Sequence, residues 1–150
     1  MALLELSHVT QGFFADRRKT EAMVALDDVS LAIEEGEFVS LVGPSGCGKT
    51  VTLSLMAGFL QPTEGTVSFK GCPVAKPSPH RGVVFQEYSL MPWLTVRKNL
   101  MFALRASAKA LGRPFERASA AKRADEALSQ VGLAHAADRR PNTLSGGMRQ

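Results

Sequence analysis

Residues 43–50 read GPSGCGKT, and they decide the fold. They match the pattern G-x-x-x-x-G-K-[ST], in which a glycine-rich turn wraps around phosphate groups. The largely apolar run EFVSLVG (37–43) comes before them and is typical of a strand covered on both faces. The run VTLSLMAGFL (51–60) follows them, and its apolar residues at helical spacing are Leu53, Met56, Ala57 and Leu60. The order of strand, glycine turn and helix predicts an α/β core built around a phosphate site.

Each residue type in this turn suits a triphosphate and its Mg²⁺. The three glycines allow backbone angles that other residues avoid, and they let the main chain approach a ligand closely. Amides at the start of the following helix favour an anion. Lys49 can hold the terminal phosphates by charge-assisted hydrogen bonds, and the Thr50 hydroxyl is a hard oxygen ligand for Mg²⁺. We therefore predict that ATP or GTP is bound by Gly43, Pro44, Ser45, Gly46, Cys47, Gly48, Lys49 and Thr50.

The remaining elements fit the same class. Alternating or apolar runs predict four further strands, at 3–9, 26–33, 66–71 and 81–86, with a polar loop at 15–22. Thr95 is the expected N-cap of a helix whose inward face holds Val96, Leu100, Ala103 and Leu104. A second helix is expected from Phe115 to Val131, with an inward face of Ala121, Ala124, Leu128 and Val131. Strands followed by helices predict an α/β core with a helical insertion after Gln86.

The composition limits the classes of protein that the chain can belong to. With 150 residues, 45% of them hydrophobic and 21% charged, it reads as one globular domain at most. It has no run of about 18 apolar residues and no basic start typical of a signal peptide, so we expect a cytosolic location. Cys47 and Cys72 lack the spacing of a zinc or disulfide framework. The net charge of +4 fits either a solvated surface or a patch facing nucleic acid or lipid.

A second glycine-rich stretch, LSGGMRQ, occupies residues 144–150. Together with GPSGCGKT and GVVFQEYSLMPWLTVRKNL (82–100), it resembles the nucleotide-binding subunit of ATP-binding cassette (ABC) transporters. The resemblance implies an α/β, P-loop NTPase fold of ABC type, in which an antiparallel β subdomain adjoins a parallel-sheet core with an inserted helical subdomain. It places an ATP-binding core with the Walker A loop and the Q-loop at 1–86, and the helical subdomain at 87–150.

The resemblance also implies how the signature stretch LSGGMRQ is used. Two subunits pack head to tail, and ATP lies between the Walker A loop of one and the signature of the other. After Leu144, Ser145 would cap a helix and donate its hydroxyl to the γ-phosphate. Gly146 and Gly147 would present bare amides, and Gln150 would approach the ribose. The alternative is an ordinary glycine turn.

Three further assignments rest on the resemblance. Gln86 matches the glutamine that binds Mg²⁺ or water. Residues 87–96 would contact the membrane subunits through Tyr88, Met91 and Trp93, unless these side chains form the core of the helical insertion. Phe13 is the best match for the aromatic ring that stacks on adenine, with Phe14 in reserve, and a core role is the alternative. The three histidines, His8, His80 and His135, are expected to be structural or surface residues.

The importer subunits for nitrate, sulfonate, taurine and related solutes are the subfamily that the sequence resembles. The expected partners are a second nucleotide-binding subunit, transmembrane permease subunits and, indirectly, a periplasmic solute-binding protein, with no nucleic acid. The expected location is the cytoplasmic face of the membrane, as a peripheral protein.

In this family the hydrolytic residues follow the signature. They are a Mg²⁺-binding aspartate, an adjacent glutamate and a switch histidine. We therefore expect no catalytic residue in these 150 positions, and an ABC domain that is incomplete after the signature. Two competing hypotheses are a cassette ATPase that acts on nucleic acid and an inactive nucleotide-binding fragment.

Overall fold

The structure is a computed structural model that describes residues 2–14 and 22–150. It divides into two compact units, Met1–Gly82 and Val83–Gln150, whereas the sequence placed its boundary after Gln86. None of the helices within the described ranges is both long and apolar enough to cross a bilayer. The predicted loop at 15–22 falls on residues outside these ranges, except for Ala22, which begins a strand.

The first unit is a four-stranded antiparallel sheet with one helix. Its strands are β1 (Leu4–Phe14), β2 (Ala22–Ile33), β3 (Glu64–Phe69) and β4 (Cys72–Pro73), in the spatial order β2-β1-β3-β4. The helix α1 (Lys49–Ala57) ends where Gly58 adopts a left-handed conformation. The strands predicted at 3–9, 26–33 and 66–71 are therefore present, and β1 and β2 extend beyond the predicted limits.

A small apolar core joins the sheet to α1. Leu6, near the start of β1, is paired with Leu31 on β2 and with Val67 on β3. Its fully buried neighbours include Val9 and, from α1, Leu55. Leu6 and Val9 are three residues apart, and a register shift of β1 lies between them, so both side chains join the cluster with Leu55.

The strands predicted at 37–43 and 81–86 are not formed, and both predictions are wrong. In the described residues, the sheet consists of the four strands β1, β2, β3 and β4. Neither of the two predicted segments is part of it. A strand covered on both faces needs a partner along its edges to satisfy its backbone groups. Phe38 and Val84 are accordingly 94% and 85% exposed, although the sequence placed them in a covered sheet.

The buried face of α1 also differs from the prediction. Met56 and Ala57 are buried as expected, but Leu53 is half exposed and Leu55 takes its place in the core. The buried set Thr52, Leu55 and Met56 follows the spacing i, i+3, i+4, so the helix is rotated from the predicted face.

The second unit consists of helices and irregular segments. Its elements are α2 (Val96–Ala110), α3 (Arg117–Gln130), two 3₁₀ turns (Ala134–Ala136 and Pro141–Thr143) and α4 (Gly146–Arg149). Thr95 is the N-cap of α2, as predicted, and its hydroxyl accepts from the backbone N–H of Lys98 at 3.3 Å.

Helices α2 and α3 pack along an apolar groove. It is lined mainly by Leu100, Ala103 and Leu104 of α2 and by Ala124 and Ala127 of α3, together with Ser107 and Arg123. The predicted face of α2 is correct at the buried Val96 and the half-buried Leu100 and Leu104, but Ala103 is exposed and Asn99 is buried. The predicted face of α3 is correct at Ala124 and Leu128, but Ala120 is buried in place of Ala121. Val131 is exposed because α3 ends one residue earlier, at Gln130.

Candidate nucleotide-binding site

The glycine turn at 43–50 leads directly into α1. Gly46 and Gly48 have backbone φ angles of 83° and 88°, in the left-handed region that favours glycine. Gly48 is the N-cap of α1, and among the described residues no side chain caps this helix. Its first N–H groups are therefore available to an anion, and the helix dipole favours one.

Packing against β2 explains why Gly48 carries no side chain. A Cβ atom at this position would lie 2.6 Å from Cδ2 of Leu26 and 2.7 Å from the carbonyl oxygen of Ala25. The turn is thus pressed onto the end of the sheet, whereas a Cβ at Gly46 would meet nothing within 4 Å. Gly48 therefore allows the turn to pack closely against β2, and Gly46 leaves the outer side of the turn open for a ligand.

The Lys49 side chain folds back over the turn. Its ammonium group donates to the carbonyl oxygens of Gly43 and Pro44 at 2.8 and 2.6 Å. It also lies 3.4 Å from Sγ of Cys47, which is a free and exposed thiol. The positive charge is therefore held at the start of the turn, on the carbonyls of Gly43 and Pro44.

A cleft of about 360 Å³ lies beside the turn. The residues that line it come from β1, β2, the turn and α1, and they are Phe13, Met23, Ala25, Ser45, Gly46, Gly48, Lys49, Thr50 and Val51. Phe13 therefore shares a cleft with the residues Lys49 and Thr50. An aromatic ring, a cation and a hydroxyl in one cleft suit a nucleotide with its base, phosphates and metal.

The sequence missed Met23 and Ala25 as lining residues. They occupy alternate positions of β2, and Met23 pairs directly with Phe13 across the β1–β2 ladder. The strand predicted at 26–33 began after both residues, and the register that brings them to the cleft could not be read from the sequence. The backbone of the reserve candidate, Phe14, is in β1, and its side chain lies outside the described residues.

Gln86, the second predicted Mg²⁺ ligand, and the predicted signature residues all belong to the second unit. Gln86 is exposed in an irregular segment. Leu144 is buried against Val96, Leu128, Ala136 and Ala137. Ser145 occupies the N-cap position of α4 as predicted, but its side chain makes no capping hydrogen bond. Gly146 begins α4, Gly147 has open space around it, and Gln150 is exposed.

Most side chains of the segment at 87–96 are exposed or half-buried. Trp93 is 68% exposed, Tyr88 is 38% exposed and Met91 is half-buried, so Trp93 and Tyr88 are not core residues. The three histidines, His8, His80 and His135, are exposed.

A charged contact fixes the connector before the signature. Arg97 donates to Asp125 at 2.7 Å and to Asp138 at 3.2 Å. The hydrogen bond and charge of Asp125, followed by the charge of Asp138, raise the pKa of the Arg97 guanidinium above its ordinary value. Arg97 therefore stays charged and links α2 to α3 and to the connector.

The geometry agrees with comparisons to known proteins. Residues 26–150 match the family model described as ABC transporter. The chain belongs to the ABC transporter family. It is 45% identical over 127 residues to the nitrate import ATP-binding protein NrtD of Synechococcus elongatus, a match that covers 85% of this chain and 45% of NrtD. It is 46% identical over 130 residues to the bicarbonate transport ATP-binding protein CmpC of a Synechocystis species, covering 85% of this chain and 18% of CmpC.

Solved ABC cassettes show the same fold. The dimeric post-hydrolysis structure of the cassette MJ0796, bound to ADP and Pi, superposes with a TM-score of 0.80 at 32% identity, covering 97% of this chain and 65% of MJ0796. This confirms the predicted P-loop fold of ABC type. The chain spans less than half the length of NrtD and about a fifth of the length of CmpC. These import relatives do not favour the hypothesis of a cassette ATPase that acts on nucleic acid.

Proposed function

We propose that this ABC chain binds Mg-ATP and serves an importer as its nucleotide-binding part. The observation that carries the proposal is the cleft shared by Phe13, Lys49 and Thr50 beside the open glycine turn. The Lys49 ammonium, now on the carbonyls of the turn, would move to the β- and γ-phosphates. The amides at the start of α1 would bind phosphate oxygens, and Phe13 would support the base.

Thr50 and Gln86 are the proposed Mg²⁺ ligands. Thr50 is exposed in the cleft, where its hydroxyl oxygen suits a hard cation. Bound Mg²⁺ would neutralise phosphate charge, as metal ions do in phosphoryl transfer. Gln86 is proposed as the second ligand from its match to the family's Q-loop.

We further propose that residues 1–86 act as the ATP-binding core and 87–150 as the helical subdomain. A second copy would supply its signature, Leu144, Ser145, Gly146, Gly147 and Gln150, to the nucleotide. The exposed Trp93 and Tyr88 support a contact between 87–96 and permease subunits at the cytoplasmic face of the membrane. A periplasmic solute-binding protein would be an indirect partner. The names of NrtD and CmpC support nitrate or bicarbonate as the solute, and the sequence resemblance adds sulfonates and taurine.

The proposal is tested by titrating the chain with Mg-ATP in a calorimeter. We expect saturable binding that weakens by roughly 10- to 100-fold in Lys49→Ala, because one or two charge-assisted hydrogen bonds are lost. Lys76→Ala is the matched control, since Lys76 is an exposed lysine of the same unit that does not line the cleft. Binding that is absent in the folded wild-type chain, or that is equal in both variants, would overturn the proposal.

A further inference from the structure

One tyrosine side chain touches both ends of the signature turn. The ring of Tyr88 lies under the guanidinium of Arg149, whose central carbon is 4.7 Å from the ring centroid. The Tyr88 hydroxyl lies 3.2 Å from the point that a Cβ on Gly146 would occupy. Gly146 and Arg149 are the first and last residues of α4. Tyr88 therefore spans the whole turn that carries the signature glycines.

The segment that carries Tyr88 is fixed to α2 by a buried amide. The Oδ1 atom of Asn99 accepts from the backbone N–H of Met91 at 2.8 Å. Its Nδ2 atom donates to the carbonyl oxygens of Met91, Leu94 and Thr95 at 3.2, 3.4 and 3.0 Å. A side chain that makes four hydrogen bonds in a buried position sets the path of the chain that follows Tyr88.

The signature is fixed to the same end of α2. The backbone N–H groups of Val96 and Arg97 donate to the carbonyl oxygens of Arg139 and Ala137 at 3.0 and 2.9 Å. Leu144 then anchors the signature in the apolar cluster. The segment at 87–96 and the chain that leads into the signature are thus both attached to the first turn of α2. Tyr88 adds a further contact between this segment and the signature.

We infer that Tyr88 is a positioning residue, which carries a displacement of 87–96 to the signature turn through Arg149 and Gly146. The inference rests on the proposed function, because it assigns a role to the permease-facing segment and to the signature. A guanidinium within about 6 Å of a ring centroid is attracted by the negative face of the ring. Among the described residues, the buried Nε atom of Arg149 has no hydrogen-bond partner, and its guanidinium contacts the Tyr88 ring.

The contact itself is tested by NMR of the full chain with a labelled tyrosine ring. Tyr88 is the only tyrosine of the sequence, so every ring signal reports this site. We expect Arg149→Leu and Gly146→Ala to shift the ring resonances, and Arg105→Leu, at an exposed arginine of α2, to leave them in place. Ring signals that are unmoved by Arg149→Leu would overturn the inference, whether or not the chain binds nucleotide.

The positioning role is tested by the Mg-ATP-dependent self-association of the chain, followed by sedimentation. Tyr88→Leu and Arg149→Leu should each weaken this association by roughly three- to fivefold, the usual strength of such a contact. The double variant should be no weaker than either single variant, whereas independent effects would multiply and would contradict the inference. Phe102→Leu, which removes an exposed ring from α2, is the matched control.

A compensating pair separates positioning from a general loss of structure. Gly146→Ala places a methyl group against the Tyr88 hydroxyl and should weaken the association. Tyr88→Phe keeps the ring and removes that hydroxyl, so it should behave like the wild type and partly rescue Gly146→Ala. A lack of rescue would count against the inference. If the wild-type chain failed to bind Mg-ATP but the Tyr88 ring resonances still shifted in Arg149→Leu, the proposed function would be wrong, whereas the contact between Tyr88 and Arg149 would be confirmed.

Discussion

The ammonium nitrogen of Lys49 lies 2.6 Å from the carbonyl oxygen of Pro44, within the turn that it is proposed to serve. The charge is therefore satisfied by the protein's own main chain rather than by a carboxylate. A phosphate oxygen carries a full negative charge and forms stronger hydrogen bonds with an ammonium than a carbonyl does. The lysine can exchange one set of partners for the other without leaving a buried charge unpaired.

This arrangement predicts that Lys49→Ala barely changes the stability of the fold. The carbonyls of Gly43 and Pro44 are exposed, so water replaces the ammonium, and the lysine begins α1, where the helix dipole disfavours a cation. We expect the free energy of unfolding in urea to change by less than about 0.5 kcal/mol. A larger loss would mean that the lysine holds the turn together and would confound the calorimetric test.

The two left-handed glycines should respond differently to alanine. Gly46→Ala meets no atom and costs only backbone strain, about 1–2 kcal/mol. Gly48→Ala adds a collision with the Ala25 carbonyl and Leu26, for a total of about 3 kcal/mol or more. Urea unfolding of both variants measures the difference. Equal losses would show that the contact between the turn and β2 is not as close as the structure has it.

Phe13 should increase the affinity for ATP through contact with the adenine base. It should not change the affinity for the triphosphate part. We expect Phe13→Ala to weaken Mg-ATP binding by roughly three- to tenfold, the usual range for a stacked ring. Phe13→Tyr should retain the affinity, because the ring face is kept. Magnesium tripolyphosphate, which has no base, is the control ligand, and its affinity should be the same in all three proteins. A parallel loss for both ligands would show that Phe13 acts by supporting the cleft.

Local signals in the sequence named more than half of the residues that line the cleft, and they predicted the starts of two helices. The motif at 43–50 gave the start of α1 to within two residues, because glycine conformation and helix capping are set by neighbouring residues. The same holds for Thr95, whose hydroxyl caps α2. The position of Phe13 relative to the turn was predicted only through the family resemblance.

Non-local pairing could not be predicted in the same way. The runs at 37–43 and 81–86 have the composition of covered strands, but composition does not name the edge with which a strand pairs. The register that pairs Met23 with Phe13 could not be predicted for the same reason. A shift of one residue would turn Met23 away from the cleft. Tyr88 was assigned either to a permease-facing surface or to the core of the helical insertion. Its contact with Arg149 was missed, because the two residues are distant in the chain.

Asn99 should be a stability hot spot of the second unit. Asn99→Ala removes four hydrogen bonds from a buried position, and we expect a loss of about 2–3 kcal/mol. Asn99→Asp keeps the acceptor for Met91 but turns a carboxylate oxygen, in place of the amide N–H donors, toward three carbonyl oxygens, so it should lose at least as much. Thr95→Ala, which removes the neighbouring helix cap, is the matched control with a loss of about 1 kcal/mol. The check is urea unfolding followed by the emission of Trp93, the only tryptophan, which lies in the segment that Asn99 holds. A loss no larger than that of Thr95→Ala would show that this segment is held by other contacts.

The 150-residue polypeptide should bind Mg-ATP without hydrolysing it at the rate of a transporter subunit. Among the described residues that line its cleft, none carries a carboxylate or an imidazole, so none of these side chains is a general base for an attacking water. General-base catalysis commonly contributes about 10²- to 10⁴-fold, and phosphate release should fall below that of full-length NrtD by at least about 10²-fold. The calorimetric titration on the same sample supplies the control, because it separates a chain that binds and does not hydrolyse from one that does not bind. Phosphate release at the rate of NrtD, abolished by Lys49→Ala, would contradict the prediction and require a base from outside the cleft.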